Sequence, residues 1–196
     1  MKNLLTAVSI LSLLFAVPVF VSAEPLEAEK ELSVEDINQK FDQIAEKYEV
    51  GDELSKEDAE FVKEYATPSE NSVGAQKSQS FNKTGYTSGK KVGGNIKGNV
   101  TANHGAVTSS WGTNFLAKKV KGNITKVKAS ATHTAYGAVG SGGVGLVYKN
   151  SFSKTCNTTQ CRLQESEKYS AVVAYSYTTA KGTFHYKSGS VSVTAP

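Results

Sequence analysis

The chain has 196 residues, a formal net charge of +4 and 39% hydrophobic residues. This length allows one modest domain with an appendage and excludes two full-sized domains. No stretch after residue 23 is long and apolar enough to span a bilayer, so we do not expect an integral membrane protein.

Residues 1–23 have the features of a secretory signal peptide. Lys2 gives a positive start, residues 4–21 are almost wholly apolar, and Val21-Ser22-Ala23 supplies small residues before a cleavage site. A transmembrane anchor is the alternative, but Pro18 interrupts the apolar run and the acidic Glu24 follows it. The sequence therefore predicts a secreted, extracellular protein.

The charge is divided unevenly along the predicted mature chain. Residues 24–70 contain sixteen acids and five lysines, a net charge of −11, whereas residues 71–196 contain sixteen basic residues and two acids, a net charge of +14. Such asymmetry is typical of a tail, a pro-segment or a protein with a charged partner. The acidic segment 24–70 is thus either a permanent part of the fold or a removable pro-segment.

The acidic segment predicts a short helical hairpin over about 33–66. Capping patterns at Ser33–Asp36 and Ser55–Asp58 begin the two helices, and Thr67-Pro68 ends the second. The apolar residues at helical spacing are Ile37, Phe41, Ile44 and Tyr48 in the first helix, and Phe61, Val62 and Tyr65 in the second. Two short helices bury little surface, so they either pack on the basic domain or stay partly ordered.

The basic segment predicts a mainly β domain over about 95–196. Residues 71–94 are rich in Ser, Gly, Asn, Lys and Thr, which indicates a linker or a loosely held first strand. Beyond them, apolar residues alternate with polar ones, as in Tyr169–Tyr177, and glycines separate the alternating runs. This pattern favours an antiparallel β-sandwich or barrel.

The basic domain lacks the usual catalytic residue sets, so we predict a protein that is not an enzyme and has no cofactor. It contains no aspartate, and its two glutamates, Glu165 and Glu167, are too close in sequence for a glycosidase pair. His104, His133 and His185 could converge as a zinc site, but they have no ligand spacing and are expected to be polar residues on strands or turns. We therefore predict no metal.

Cys156 and Cys161 are the two cysteines of the chain, and export allows them to form a disulfide. The resulting six-residue ring is either a staple on a hairpin tip or a rigid binding loop. In the second case, the residues that would contact a partner are Thr158, Thr159, Gln160, Arg162 and Leu163. Arg162 would suit a trypsin-like specificity pocket, and Leu163 a subtilisin-like one.

The overall plan resembles that of the small secreted protease inhibitors of Bacillus-type bacteria. The shared features are a leader that ends in Val-Ser-Ala, a trimmable acidic N-terminal segment, no catalytic set and one short loop between two cysteines. The resemblance implies a secreted, non-enzymatic inhibitor of extracellular serine proteases. The expected partner is then an extracellular protease, and the inhibitor is expected to be a monomer.

A lysine cluster supports a second hypothesis. Lys118, Lys119, Lys121, Lys126 and Lys128 surround one predicted hairpin. A charge of +14 exceeds what solubility requires of a small domain, which indicates an anionic partner such as cell-wall polymer or lipid. Nucleic acid is not expected, because base recognition favours arginine and the chain is exported. The alternative function is a cationic, envelope-active or antimicrobial protein that its acidic segment keeps latent.

Overall fold

The computed structural model of the protein describes residues 32–69 and 76–196. The predicted signal peptide, residues 1–23, lies outside this range. So do residues 24–31 of the predicted acidic segment, and residues 70–75, which include its last residue and the start of the predicted linker.

Two helices form where the capping patterns predicted them, α1 (Val34–Lys47) and α2 (Lys56–Tyr65). The Ser33 side chain accepts a hydrogen bond from the Asp36 backbone, and the Asp36 side chain caps the Ser33 backbone in return. The Ser55 side chain accepts a hydrogen bond from the Asp58 backbone in the same way. Neither helix has the length and apolar composition that crossing a membrane requires.

The rest of the described chain consists mainly of antiparallel strands, as predicted. These are β1 (Thr67–Pro68), β2 (Gln76–Tyr86), β3 (Gly93–His104), β4 (Thr108–Lys121), β5 (Lys126–Val139), β6 (Gly143–Cys156), β7 (Gln160–Ser170), β8 (Tyr175–Tyr186) and β9 (Gly189–Ala195). In the five-stranded sheet the order is β1-β8-β5-β6, with β9 also paired to β8. In the four-stranded sheet the order is β2-β3-β4-β7. Of the two predicted architectures, the sandwich-like arrangement of two separate sheets is the one that forms.

Large side chains from both sheets fill the space between them. Trp111 and Phe115 of β4 are 2% and 0% exposed, and the Trp111 ring stacks on Phe152 of β6 with centroids 4.4 Å apart. Phe184 of β8 occupies the space opposite Gly94, where an added Cβ would lie 2.2 Å from the phenyl ring. The inward positions of the alternating pattern therefore form one core between the sheets.

Residues 71–94 are not a linker over most of their length. Strand β2 pairs with β3 along its entire length, from Gln76–Asn103 to Tyr86–Gly93. Phe81 is buried in the core, where its ring meets that of Phe115 with centroids 5.7 Å apart. The hypothesis of a first strand was the correct one. The other residues of β2 are mostly polar, which is common in a strand at the edge of a sheet.

The helical hairpin packs on the outer face of the five-stranded sheet. Phe41 stacks on Tyr177 with ring centroids 3.7 Å apart, and the Tyr177 hydroxyl donates a 2.7 Å hydrogen bond to Asn38 Oδ1. Between the helices, Glu53 forms a β-bridge with Gly145 of β6. The described helices therefore pack on the β domain, which was one of the two predicted alternatives; the other was a partly ordered hairpin.

Candidate functional site

The predicted lysine cluster lies at one end of the sandwich. Strand β4 ends at Lys121 and β5 begins at Lys126, so a short connection brings the lysines of both strands together. The β2–β3 turn reaches the same end because Gly93 pairs with Lys121, and the end of β8 reaches it because His185 pairs with Lys126. We call this region the cationic end; its lysines are Lys90, Lys91, Lys118, Lys119, Lys121, Lys126, Lys128, Lys154 and Lys187.

The charge of the cationic end is not balanced by nearby acids of the β domain. The acids after residue 71 are Glu165 and Glu167, and their register partners in β4 are Thr113 and Trp111. Both positions lie away from Lys118–Lys121, where β4 reaches the cationic end. The sandwich therefore carries a cluster of like charges at one end, and all but the half-buried Lys119 are exposed.

The described part of the acidic hairpin does not cover the cationic end. Its apolar side chains pack on Tyr136, Leu146 and Tyr177, at the opposite end of the five-stranded sheet. Residues 32–69 therefore do not mask the lysine cluster, contrary to the hypothesis of a latent cationic protein. Aromatic packing determines the position of the hairpin, whereas that hypothesis was based on charge alone.

A network of ion pairs lies within the hairpin itself. The Asp58 carboxylate is 2.8 Å from Lys40 Nζ and 2.7 Å from Lys47 Nζ, and it accepts a 2.9 Å hydrogen bond from the Tyr48 hydroxyl. Burial alone would raise the pKa of Asp58, but the hydrogen bonds from Lys40, Lys47, Tyr48 and Ser55 lower it well below the usual range. This network joins α1 to α2.

The disulfide between Cys156 and Cys161 is formed, as predicted. It connects the end of β6 to the start of β7, which lie in different sheets, so the ring turns a corner between the sheets and is not a hairpin tip. Thr158, Thr159 and Gln160 are exposed, and the Thr159 carbonyl accepts a 2.8 Å hydrogen bond from the Lys119 backbone. A formed disulfide is typical of proteins in an oxidising compartment.

The two residues that follow the ring have opposite environments. Arg162 is exposed, and its guanidinium donates a 2.9 Å hydrogen bond to Asn114 Oδ1. Leu163 is 1% exposed and belongs to the core between the sheets. The prediction that Leu163 offers its side chain to a partner is therefore wrong, because alternation along β7 turns it inward.

Two of the three histidines meet between the sheets. The rings of His104 and His133 are 6.2 Å apart, whereas His185 lies near the cationic end, paired with Lys126. The three therefore do not converge. Within the described residues, no group of three or more His, Cys, Asp or Glu side chains could hold a metal ion.

The histidine between the sheets is held by hydroxyl groups. His133 Nδ1 lies 2.6 Å from Thr178 Oγ1, and its Nε2 lies 3.0 Å from the Tyr169 hydroxyl. Burial, with a smaller contribution from His104, lowers the pKa of His133 to about 3, so its ring is neutral at neutral pH. The sequence predicted a polar residue on a strand or turn at His133, but not its burial or which residues from other strands would surround it.

His104 makes a Ser–His contact on the same side of the core. Its Nε2 is 2.9 Å from the Ser176 hydroxyl, whereas its Nδ1 is buried without a hydrogen-bond partner in the described structure. A catalytic triad would need an acid at Nδ1 to orient the ring. This pair therefore lacks the third member of a triad.

Comparisons with protein-family models, with curated proteins and with solved structures found no match to this chain.

Proposed function

We propose that this is a secreted, non-enzymatic protein that binds anionic polymers of the cell envelope through its cationic end. The observation that carries the proposal is a cluster of nine lysines that neither the glutamates of the β domain nor the described part of the acidic hairpin covers. The predicted signal peptide supports the proposal, because export would bring the protein to the compartment where polymers of this kind occur.

Lysine suits this role because its ammonium is a compact charge on a flexible stem, which recognises negative charge without fixed geometry. A single exposed ion pair contributes little, but a polymer contacts several lysines at once and releases its own counterions. Residues 71–196 carry fifteen lysines and one arginine, so the charge is suited to general attraction to phosphate or carboxylate groups.

The test is the affinity of the purified protein for inorganic polyphosphate and for poly(glycerol phosphate) at low salt. We expect Lys118→Gln together with Lys121→Gln to weaken both affinities at least tenfold, at roughly 1 kcal/mol for each lysine. The matched control is Lys56→Gln together with Lys63→Gln, which removes the same charge from exposed positions on α2. Equal losses in the two double variants would refute a site at the cationic end.

A second candidate function is inhibition of a trypsin-like protease. It is supported by the exposed ring, by the exposed Arg162 beside it, and by the position of β7 at the edge of its sheet, where a protease could pair with it. Because Leu163 is buried, the side chain available for a specificity pocket here is that of Arg162. Titration of trypsin should then show stoichiometric loss of activity that Arg162→Ala abolishes. Full trypsin activity at a micromolar excess of the protein would exclude this function.

A further inference from the structure

The outer face of the four-stranded sheet presents amide and hydroxyl groups in a row that crosses all four strands. Ser80 pairs with Asn99, Asn99 with Asn114, and Asn114 with Gln164. Neighbouring strands are about 4.8 Å apart, so this row spans about 14 Å. We call these four residues the amide row.

The amide row has a cationic row on one side and a row of small residues on the other. The cationic row consists of Lys97, Leu116 and Arg162, which are paired across three strands. It lies two residues along each strand from the amide row, towards the cationic end. Lys97 and Arg162 are two strands apart, so their Cα atoms are about 10 Å from each other. The cationic row therefore extends the charge of the cationic end onto the face of the sheet.

On the other side, Gly112 pairs with Thr101 and with Ser166. Gly112 has no side chain, and its backbone forms the floor of a hollow of about 380 Å³. The walls of this hollow include Asn99, Gln164 and Ser166. An added Cβ at Gly112 would lie 3.1 Å from the Glu165 carbonyl oxygen and the Ser166 Cβ, so a side chain there would crowd this floor.

A second hollow, of about 500 Å³, lies over Ser80, Lys97 and Gly98. It shares Asn99 with the first hollow, so the two hollows adjoin there, and we call them together the groove. The groove contacts the amide row along its length and the cationic row at Lys97. A flexible chain that lies in it would meet hydrogen-bonding groups and positive charge side by side.

Several polar groups of the groove are free to bind a ligand. In the described structure the side chains of Asn99, Gln164 and Ser166 make no hydrogen bond with other protein groups. By contrast, Asn114 Oδ1 is occupied by Arg162. Free amides can donate to and accept from the hydroxyl groups of a polyol or sugar, whereas a phosphate offers them only acceptor oxygens.

We infer that this groove binds polymers in which phosphates alternate with hydroxyl-bearing units, that is, polyol-phosphate or sugar-phosphate chains. The phosphates pair with Lys97, Arg162 and the cationic end, and the hydroxyl groups bind the amide row. This inference rests on the proposed binding of anionic polymers and adds a selectivity that charge alone does not provide.

The test compares poly(glycerol phosphate) with inorganic polyphosphate of the same number of phosphates. We expect Asn99→Ala together with Gln164→Ala to weaken binding of poly(glycerol phosphate) about tenfold, as for the loss of two hydrogen-bonding side chains, and to change polyphosphate binding less than twofold. The matched control is Thr183→Ala together with Ser192→Ala, which removes two polar side chains from the outer face of the other sheet. Gln164→Ala alone, at an exposed edge-strand position, gives a second variant with minimal effect on folding.

The two proposals fail in different ways. If the Asn99 and Gln164 changes weaken both polymers equally, or weaken neither, the groove has no selectivity for hydroxyl-bearing units and the inference is overturned. If the changes at Lys118 and Lys121 leave polyphosphate binding intact, the proposed function itself is wrong.

Discussion

His133 should make the stability of the fold depend on pH between 7 and 5. Its ring is fully buried and its pKa is lowered to about 3, whereas an unfolded histidine has a pKa of about 6.5. Between these values the unfolded chain binds a proton that the folded chain excludes, so stability falls as pH falls. Each pH unit in this window corresponds to about 1.4 kcal/mol, and His133 therefore contributes a loss of about 2 kcal/mol between pH 7 and pH 5.

The assay is urea unfolding of the wild type and of His133→Gln, each at pH 7 and pH 5. Other groups, including the neighbouring His104, titrate in both proteins, so the difference between the two pH dependences isolates His133. We expect the variant to be less stable at both pH values but to lose about 2 kcal/mol less than the wild type on acidification. Equal pH dependences of the wild type and His133→Gln would show that the His133 site accepts a proton readily and would refute the reasoning.

Three further predictions concern stability. Phe41→Ala should cost about 3–5 kcal/mol in urea unfolding because Phe41 is 2% exposed and stacks on Tyr177, whereas Val34→Ala at a 45% exposed position should change stability by less than about 0.5 kcal/mol. A small effect of the first change would mean that the hairpin is not docked as described. Replacing both Cys156 and Cys161 by Ala should cost about 2 kcal/mol, as expected for release of a six-residue loop, and no loss would contradict a role in stability. Asp58→Asn should cost about 2 kcal/mol because the buried carboxylate accepts several hydrogen bonds that a neutral amide makes less well, and a neutral result would show that the network adds little.

Local patterns in the sequence were sufficient for the helices and for most strands. Ser33 and Ser55 cap helices because a cap depends on residues three positions apart. The alternation in Tyr169–Tyr177 predicted strands, although residues 171–174 in its middle form the connection between β7 and β8. The disulfide was also predictable, because the predicted export and two nearby cysteines favour it.

The candidate site depended on pairings between distant segments, which the sequence does not reveal. Leu163 is buried because β7 pairs with β4 in a register that directs it inward, and its neighbours in the chain do not show this register. For the same reason the amide row was not predicted: Asn99, Asn114 and Gln164 are adjacent only through strand order. The lysine cluster could be predicted because a short connection between β4 and β5 brings its residues together.

The most direct test of the central claim is the salt dependence of polyphosphate binding. If the cationic end binds through several lysines, the logarithm of the association constant should fall linearly with the logarithm of salt concentration. The slope should decrease in magnitude by about 2 in the variant with Lys118→Gln and Lys121→Gln, and should stay unchanged in the variant with Lys56→Gln and Lys63→Gln. Affinity that does not depend on salt, or the same slope in all three proteins, would contradict binding at the cationic end.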